Sequence, residues 1–199
     1  MAYNKPLLPS KHFPAFKDNM PTLTGKTFVI TGTTSGTGKV AAKALAEKGA
    51  RVFMLNRKSA RSEKAQQDIS TELPNADIST IECDLQSFAS VQQAADQLIE
   101  LCADNGIYAL INNAGIMAMP DEATAEGFDT QMQTNHLSHF LLTRELYPLL
   151  EKGADTHGEA RIVNHSSVAR LSVKRLEAKY LEKNGGNLGG NGSSMMFGG

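Results

Sequence analysis

The sequence predicts an α/β protein built on a doubly wound parallel sheet with helices on both faces. Three observations carry that reading. Short β-rich runs alternate with amphipathic helical patterns in the order βαβαβαβαβ, which calls for parallel strands joined by crossover helices. A glycine cluster, "TGTTSGTG", follows the first β-rich run directly and opens the first long helix. A loop in that position can cradle a phosphate group. The 199 residues suffice for one well-buried core and are too few for two comfortable domains.

Residues 1–24 read as an irregular arm. They carry Pro6, Pro9, Pro14 and Pro21 and lack the apolar run of a signal peptide. The domain proper is expected over 25–170. Thr27–Thr31 is the first strand. The helix that follows has Val40, Ala41, Ala44 and Leu45 as its apolar face and stops at Gly49. Arg51–Leu55 is the second strand. The polar helix after it is stopped by Pro74. "DISTIECDL" holds the third strand, and Ser87 is the expected N-cap of the third helix. "YALINNAG" is a fourth strand running into a glycine turn. A long helix over 128–150 is expected to bury Met132, Leu137, Phe140, Leu141 and Leu146. "RIVNHSS" is the fifth strand. Residues 171–199 read as a charged helix followed by a glycine-rich insertion or loop.

The charge balance, −1 at pH 7, gives no reason to expect nucleic acid or an anionic membrane as partner. No apolar run approaches the roughly 20 residues of a spanning helix. Cys83 and Cys102 read as small apolar residues of a reducing compartment, cytoplasmic or another, and peripheral membrane association is left open. His136, His139 and His165 have no accompanying cysteine or carboxylate constellation, so they read as packing or surface residues and no metal is expected.

Within the glycine cluster, Gly32 permits a tight turn, Gly36 lets backbone approach a pyrophosphate, and Gly38 lets helix pack on strand. No Lys-Ser/Thr pair follows the last glycine, which argues against triphosphate chemistry. The spacing Thr-Gly-x-x-x-Gly-x-Gly, with "NNAG" at 112–115, Asn135 in "QTNHLSHFLLT" and "RIVNHSS" at 161–167, resembles the short-chain dehydrogenase/reductase family from about Lys26 to Ser167. "TAEGFD" and "TNHLSHFLLT" look most like its retinol-dehydrogenase-like and WW-domain-oxidoreductase-like branch. Light-dependent protochlorophyllide reductases are similar in these segments, which leaves a C=C reductase as an alternative.

The resemblance implies a Rossmann-type fold and hydride transfer between a nicotinamide and a small carbonyl or alcohol substrate. It places Gly32, Thr34, Ser35, Gly36, Thr37, Gly38, Asn113, Ala114 and Gly115 along the dinucleotide, with Asp84 and Leu85 at the adenine. "MLNRK" ends the second strand without the acid that would bind a ribose 2′-hydroxyl. Arg57, with Lys58 and Lys39 nearby, suits a 2′-phosphate, so NADP is expected over NAD.

At the reaction centre the resemblance implies that Ser167 positions the substrate oxygen and that Asn135 holds a water. A Tyr-x-x-x-Lys pair would exchange the proton; a phenol that titrates near pH 10 needs a cation beside it to act near neutrality. Two readings of that pair stay open. Tyr180 and Lys183 are three apart and still share a helix face. Against them, their segment is highly charged and "NGG" ends any helix within a turn. The favoured reading makes this stretch an insertion, with the pair lying beyond Gly199 and the sheet incomplete on its C-terminal side. A homodimer is then expected only where a longer chain supplies the helices that pair subunits in this family. A cofactor-binding protein without turnover and a purely structural domain are the rival readings. Substrate identity, reaction direction and organelle are not legible.

Overall fold

A computed structural model describes residues 10–172 and 174–188. Five parallel strands form its sheet: β1 (Thr27–Thr31), β2 (Arg51–Asn56), β3 (Ile78–Glu82), β4 (Ala109–Asn112) and β5 (Arg161–Asn164), in the order β3-β2-β1-β4-β5. This is the expected doubly wound arrangement. The chain moves outward from β1 through β2 to β3, then crosses back to place β4 against the other side of β1. That reversal opens a crevice beyond the carboxyl ends of β1 and β4.

The central strands β1, β2 and β4 are buried on both faces, as crossover helices require. Phe28, Ile30, Val52 and Met54 point to one side, against Ala42, Leu45 and Ile69. Val29, Phe53, Leu55 and Leu110 point to the other, against Val91, Leu98, Leu142 and Leu146. The period of two along β1 and β2 thus feeds two cores. The first is covered by α2 (Gly36–Glu47) and α3 (Ala60–Glu72), the second by α4 (Phe88–Leu101) and α6 (Ser138–His157). Ser87 caps α4 as expected, its hydroxyl accepting the Ser90 N–H at 3.3 Å.

Four expectations are corrected. The arm is not wholly irregular: α1 (Phe13–Asp18) starts with Pro14 in its first turn, and Lys17 pairs with Glu47 at 2.7 Å. In α2 the buried face includes Ala42, Ala44, Leu45 and Ala46, while Val40 is 44% exposed. The close seat of Gly38 on the first strand's loop sets that helical phase.

The long helix is also out of phase with the sequence reading. It begins as α5 (Thr130–Met132), widens into a π turn at Gln133–Leu137, and continues as α6 past Pro148 to His157. The wider turn inserts one residue and rotates everything after it. Ser138, His139 and Leu142 are therefore buried, and Phe140, expected in the core, is 64% exposed. Finally, the charged helix is absent among the described residues. Val168–Ser172 and Ala178–Leu181 are 3₁₀ turns, because the segment offers no apolar stripe to dock. Residues 1–9 of the arm and the glycine-rich stretch from 189 lie outside the described residues.

Candidate active site

The glycine loop sits where the crevice opens. Gly32 has φ +71°, and a Cβ there would lie 2.8 Å from Ala114 Cα. Only glycine lets the first loop and the turn after β4 approach so closely. A Cβ on Gly38 would stand 2.4 Å from Gly32 O and 2.5 Å from Asn113 Nδ2. Gly36 is different: its φ is +61° and a Cβ would meet nothing within 4 Å. It marks the open side of the loop. Ser35 is the N-cap of α2 but its side chain makes no capping bond, and Ser35, Gly36 and Thr37 are exposed. The helix therefore presents unsatisfied N–H donors and its positive dipole end to the crevice. Those donors suit an anionic diphosphate.

Asn113 holds the opposite rim. Its Nδ2 donates to Thr31 O (2.9 Å) and Gly32 O (3.1 Å), and its Oδ1 accepts from Thr37 Oγ1 at 3.0 Å. Asn113 N and Ala114 N both donate to Thr31 Oγ1 at 3.0 Å. His165, at the end of β5, reaches Asn113 Oδ1 at 3.2 Å through Nδ1. Asn112 links β4 to its neighbours through Thr143 Oγ1 (3.1 Å) and Asn164 Oδ1 (2.9 Å).

At the far end of the loop, Asn56 is buried and pairs reciprocally with Thr33: it accepts from Thr33 N and donates to Thr33 Oγ1, both at 2.8 Å. Thr34 beside it is half-buried. Arg57 and Lys58 are exposed just past β2. Lys39 is already paired with Asp68 at 2.6 Å, and that carboxylate is held below its ordinary range chiefly by hydrogen bonds from Lys39 and Lys64. Arg61, which the sequence reading passed over, extends from the first turn of α3 and brings Nη2 to 3.5 Å from Ser35 Oγ, the limit of a hydrogen bond.

Asp84 accepts from Gln86 N at 2.9 Å while its own N–H meets Ser90 Oγ at 2.9 Å, so it shapes the turn into α4. Leu85 is packed in the core, and its carbonyl accepts the Ser138 hydroxyl at 2.6 Å. Burial pushes the adjacent Cys83 thiol up to about 12, with the Asp84 charge adding to it. Cys102 is raised to about 11 by burial, against a smaller opposing pull from Arg51. Both are free thiols that stay protonated at neutral pH.

On the other side of the crevice, Asn135 lies in the π turn. Its amide clamps Ile116: Oδ1 accepts from Ile116 N and Nδ2 donates to Ile116 O, both at 2.8 Å. Gly115 lies alongside: a Cβ there would make ordinary contact with Asn135 Oδ1 at 3.5 Å. Behind Asn135, His139 is buried between Thr31 Oγ1 (2.8 Å to Nε2) and Asn135 O (3.1 Å to Nδ1). Burial is the main cause that holds this imidazole below its ordinary pKa. Ser167 is exposed beyond β5, and its hydroxyl accepts from Ala169 N at 3.2 Å.

Tyr180 and Lys183 are not joined to this constellation by any hydrogen bond among the described residues. Tyr180 carries the Lys179 ammonium 5.0 Å from its ring centre, and Lys183 lies 5.6 Å from the ring centre of Phe128. Gly185 N donates to Gly127 O at 3.2 Å and Leu188 N to Asp121 Oδ2 at 2.9 Å. This segment is fastened to the loop around 121–128. No cluster of three or more metal-ligating side chains occurs among the described residues. A concavity of about 290 Å³ beside Gly49, Arg51 and Asp77 lies at the opposite ends of the strands and holds none of these residues.

Comparison with known proteins bears on the family and the fold. Residues 26–180 match the family model described as short chain dehydrogenase. An uncharacterised oxidoreductase of Schizosaccharomyces pombe is 40% identical over 158 residues, covering 78% of this chain and 46% of the relative. Human retinol dehydrogenase 12 is 41% identical over 147 residues, covering 74% and 45% respectively. The chain thus spans about half the length of the curated relatives it matches. Among solved structures, the RhlG/NADP active-site complex of Pseudomonas aeruginosa superposes with a TM-score of 0.64 at 32% identity, covering 80% of this chain and 61% of that one.

Proposed function

The chain belongs to the short chain dehydrogenase family, and on that premise we propose that it binds NADP(H) in the crevice and supplies half of a reaction centre for a carbonyl or alcohol substrate. The observation that carries the reading is the uncapped N-terminus of α2, with Ser35, Gly36 and Thr37 exposed over the carboxyl end of β1. The bound nicotinamide would supply the hydride chemistry. Gly32, Thr34, Ser35, Gly36, Thr37 and Gly38 would hold the diphosphate, while Asn113, Ala114 and Gly115 line the ribose side. Asp84 would meet the adenine edge. Leu85, whose side chain is packed in the core, would shape that pocket from behind.

The preference for a 2′-phosphate rests on charge. Asn56 occupies the end of β2 and is spent on Thr33. Arg57 and Lys58 are exposed just past β2 and Arg61 reaches Ser35, and none of the three has a carboxylate partner within salt-bridge distance among the described residues. Lys39 is given a lesser part, since Asp68 holds it. Two guanidinium groups suit a phosphate better than a neutral hydroxyl. Fluorescence titration should show tighter binding of NADPH than NADH. Arg57→Ala and Arg61→Ala should each weaken NADPH on the order of tenfold and leave NADH nearly unchanged. Tighter NADH binding by the wild type would overturn the assignment.

Ser167 is proposed to position the substrate oxygen and Asn135 to support the proton relay from its clamped position on Ile116. A second reading, cofactor binding without turnover by this chain, is favoured by the placement of Tyr180 and Lys183 on the 121–128 loop side. In a full-length protein, Tyr180→Phe locates the proton donor: retained turnover supports a donor elsewhere, and abolished turnover with intact NADPH binding identifies Tyr180 as the donor and overturns the second reading.

A further inference from the structure

We propose that His139 is a positioning residue, fixed as the neutral Nδ1–H tautomer, which orients the Thr31 hydroxyl and through it holds the Asn113–Ala114 turn and Asn135 at the nicotinamide side of the crevice. Its functional consequence rests on the dinucleotide reading above; its geometry does not.

The argument is one of counting. Thr31 Oγ1 has three polar neighbours: Asn113 N at 3.0 Å, Ala114 N at 3.0 Å and His139 Nε2 at 2.8 Å. A hydroxyl has one proton and two lone pairs. The two backbone N–H groups can only donate, so they take both lone pairs. The hydroxyl proton must then go to His139 Nε2, which must be bare. A neutral imidazole with a bare Nε2 carries its proton on Nδ1. Nδ1 faces Asn135 O at 3.1 Å, an atom that can only accept. Each end of the chain independently requires the same tautomer. Protonating the ring would aim a third donor at an oxygen with no lone pair left, at a side chain that is 5% exposed. Burial outweighs the Asn135 carbonyl, which favours a proton on the ring, and His136 acts in the same direction as burial.

The π turn is what makes the contact possible. Ser138 N–H reaches back five residues to Gln133 O, so the helix is one residue wider at Asn135. That added residue turns His139 inward onto β1 while Asn135 stays at the surface. One imidazole thereby connects the end of β1, the turn after β4 and the backbone of Asn135.

The test is in two parts. Two-bond ¹H–¹⁵N spectra of the folded 199-residue chain at neutral pH should show one histidine with a protonated-type Nδ1 and an unprotonated Nε2, assigned by its disappearance in His139→Phe. The opposite tautomer or an imidazolium at that position overturns the proposal, whether or not a dinucleotide binds. His139→Phe keeps a ring but removes the acceptor. It should accelerate amide exchange at Asn113 and Ala114 and raise the NADPH dissociation constant on the order of tenfold. His139→Gln, which can return an acceptor to Thr31, should recover part of both. Unchanged exchange at Asn113 and Ala114 in His139→Phe refutes the positioning role. If the wild type binds no dinucleotide, the proposed function fails, and the tautomer and exchange results still decide this inference.

Discussion

Gly38→Ala tests the packing that brings the crevice into being. The added Cβ would lie 2.4 Å from Gly32 O, 2.5 Å from Asn113 Nδ2 and 3.1 Å from Gly32 C. Ordinary contact needs about 3.5 Å, so α2 and the loop after β1 must separate by about 1 Å. Neither atom set is a flexible side-chain end: one is backbone, and the amide of Asn113 is held by Thr31 O and Gly32 O. Overpacking of this kind costs about 1–3 kcal/mol. Displacing Asn113 puts two hydrogen bonds at risk, about 1 kcal/mol each. The sum, roughly 3–5 kcal/mol, corresponds to a drop in Tm of roughly 6–20 °C for a chain of this size. Gly36→Ala is the matched control. Its Cβ meets nothing, so the fold loses only the cost of φ +61°, about 1–2 kcal/mol, while the methyl group stands on the ligand side. Thermal unfolding and NADPH titration of both variants should therefore give opposite patterns. Gly38→Ala should be hit mainly in stability and Gly36→Ala mainly in affinity. A Gly38→Ala protein within about 0.5 kcal/mol of wild type would refute the close-packing argument.

The remaining predictions concern the thiols, acid and self-association. Burial raises Cys83 to about 12 and Cys102 to about 11, so neither should react with a thiol reagent at pH 8 in the folded chain, and both should on unfolding; rapid reaction of either in the native state counts against the core assignment. His139 is held below the ordinary histidine value of about 6.5 by burial, so its contribution to stability is complete above that value and is lost as pH falls toward the depressed one. Urea denaturation should thus show stability declining on the acid side of about pH 6.5, with a shallower limb in His139→Phe; an unchanged limb assigns the decline to other groups. β5 is an edge strand with Ile162 and Val163 at 40% and 46% exposure, and α6 exposes Phe140 at 64% and Tyr147 at 52%. Expressed as 199 residues, the chain should self-associate in light scattering, and a monomer with one sharp thermal transition would argue otherwise.

The parts legible in the sequence were those set by short-range rules. The doubly wound parallel sheet followed from alternating elements and a glycine loop, and the Ser87 cap from residue type alone. What escaped was decided by single long-range seats. Phe140 was expected inside because an uninterrupted 3.6-residue period puts it there; a π turn five residues wide moves it out and puts His139 in. Nothing in "QTNHLSHF" announces that turn without the β1 hydroxyl it serves. The charged segment 171–183 was read as helix from its composition, yet helices of that kind are stabilised chiefly by packing an apolar face. With Val168 at 83% and Leu171 at 72% exposure, it has no such face and settles into 3₁₀ turns. Arg61 was missed because its meaning lies in its distance to Ser35, twenty-six residues away in the chain.

The two halves of the crevice differ in how completely they are built. Around the glycine loop, most polar side chains find protein partners: Thr33 with Asn56, Thr37 with Asn113, and Thr31 with two amides and an imidazole. A rim held this closely can carry a preorganised binding site at little reorganisation cost. The substrate side is not held in that way. Among the described residues the Ser167 hydroxyl bonds only to Ala169 N, all of β5 is exposed, and Tyr180 and Lys183 interact with Lys179 and Phe128 rather than with Ser167 or Asn135. Proton transfer needs donor and acceptor within about 3 Å, a demand far stricter than the one binding makes. On the proposed function, dinucleotide affinity should therefore be a property of residues 25–165 by themselves, and turnover should require that β5 be covered. Measuring the two separately, with affinity by titration and turnover in a full-length protein, locates the boundary between them.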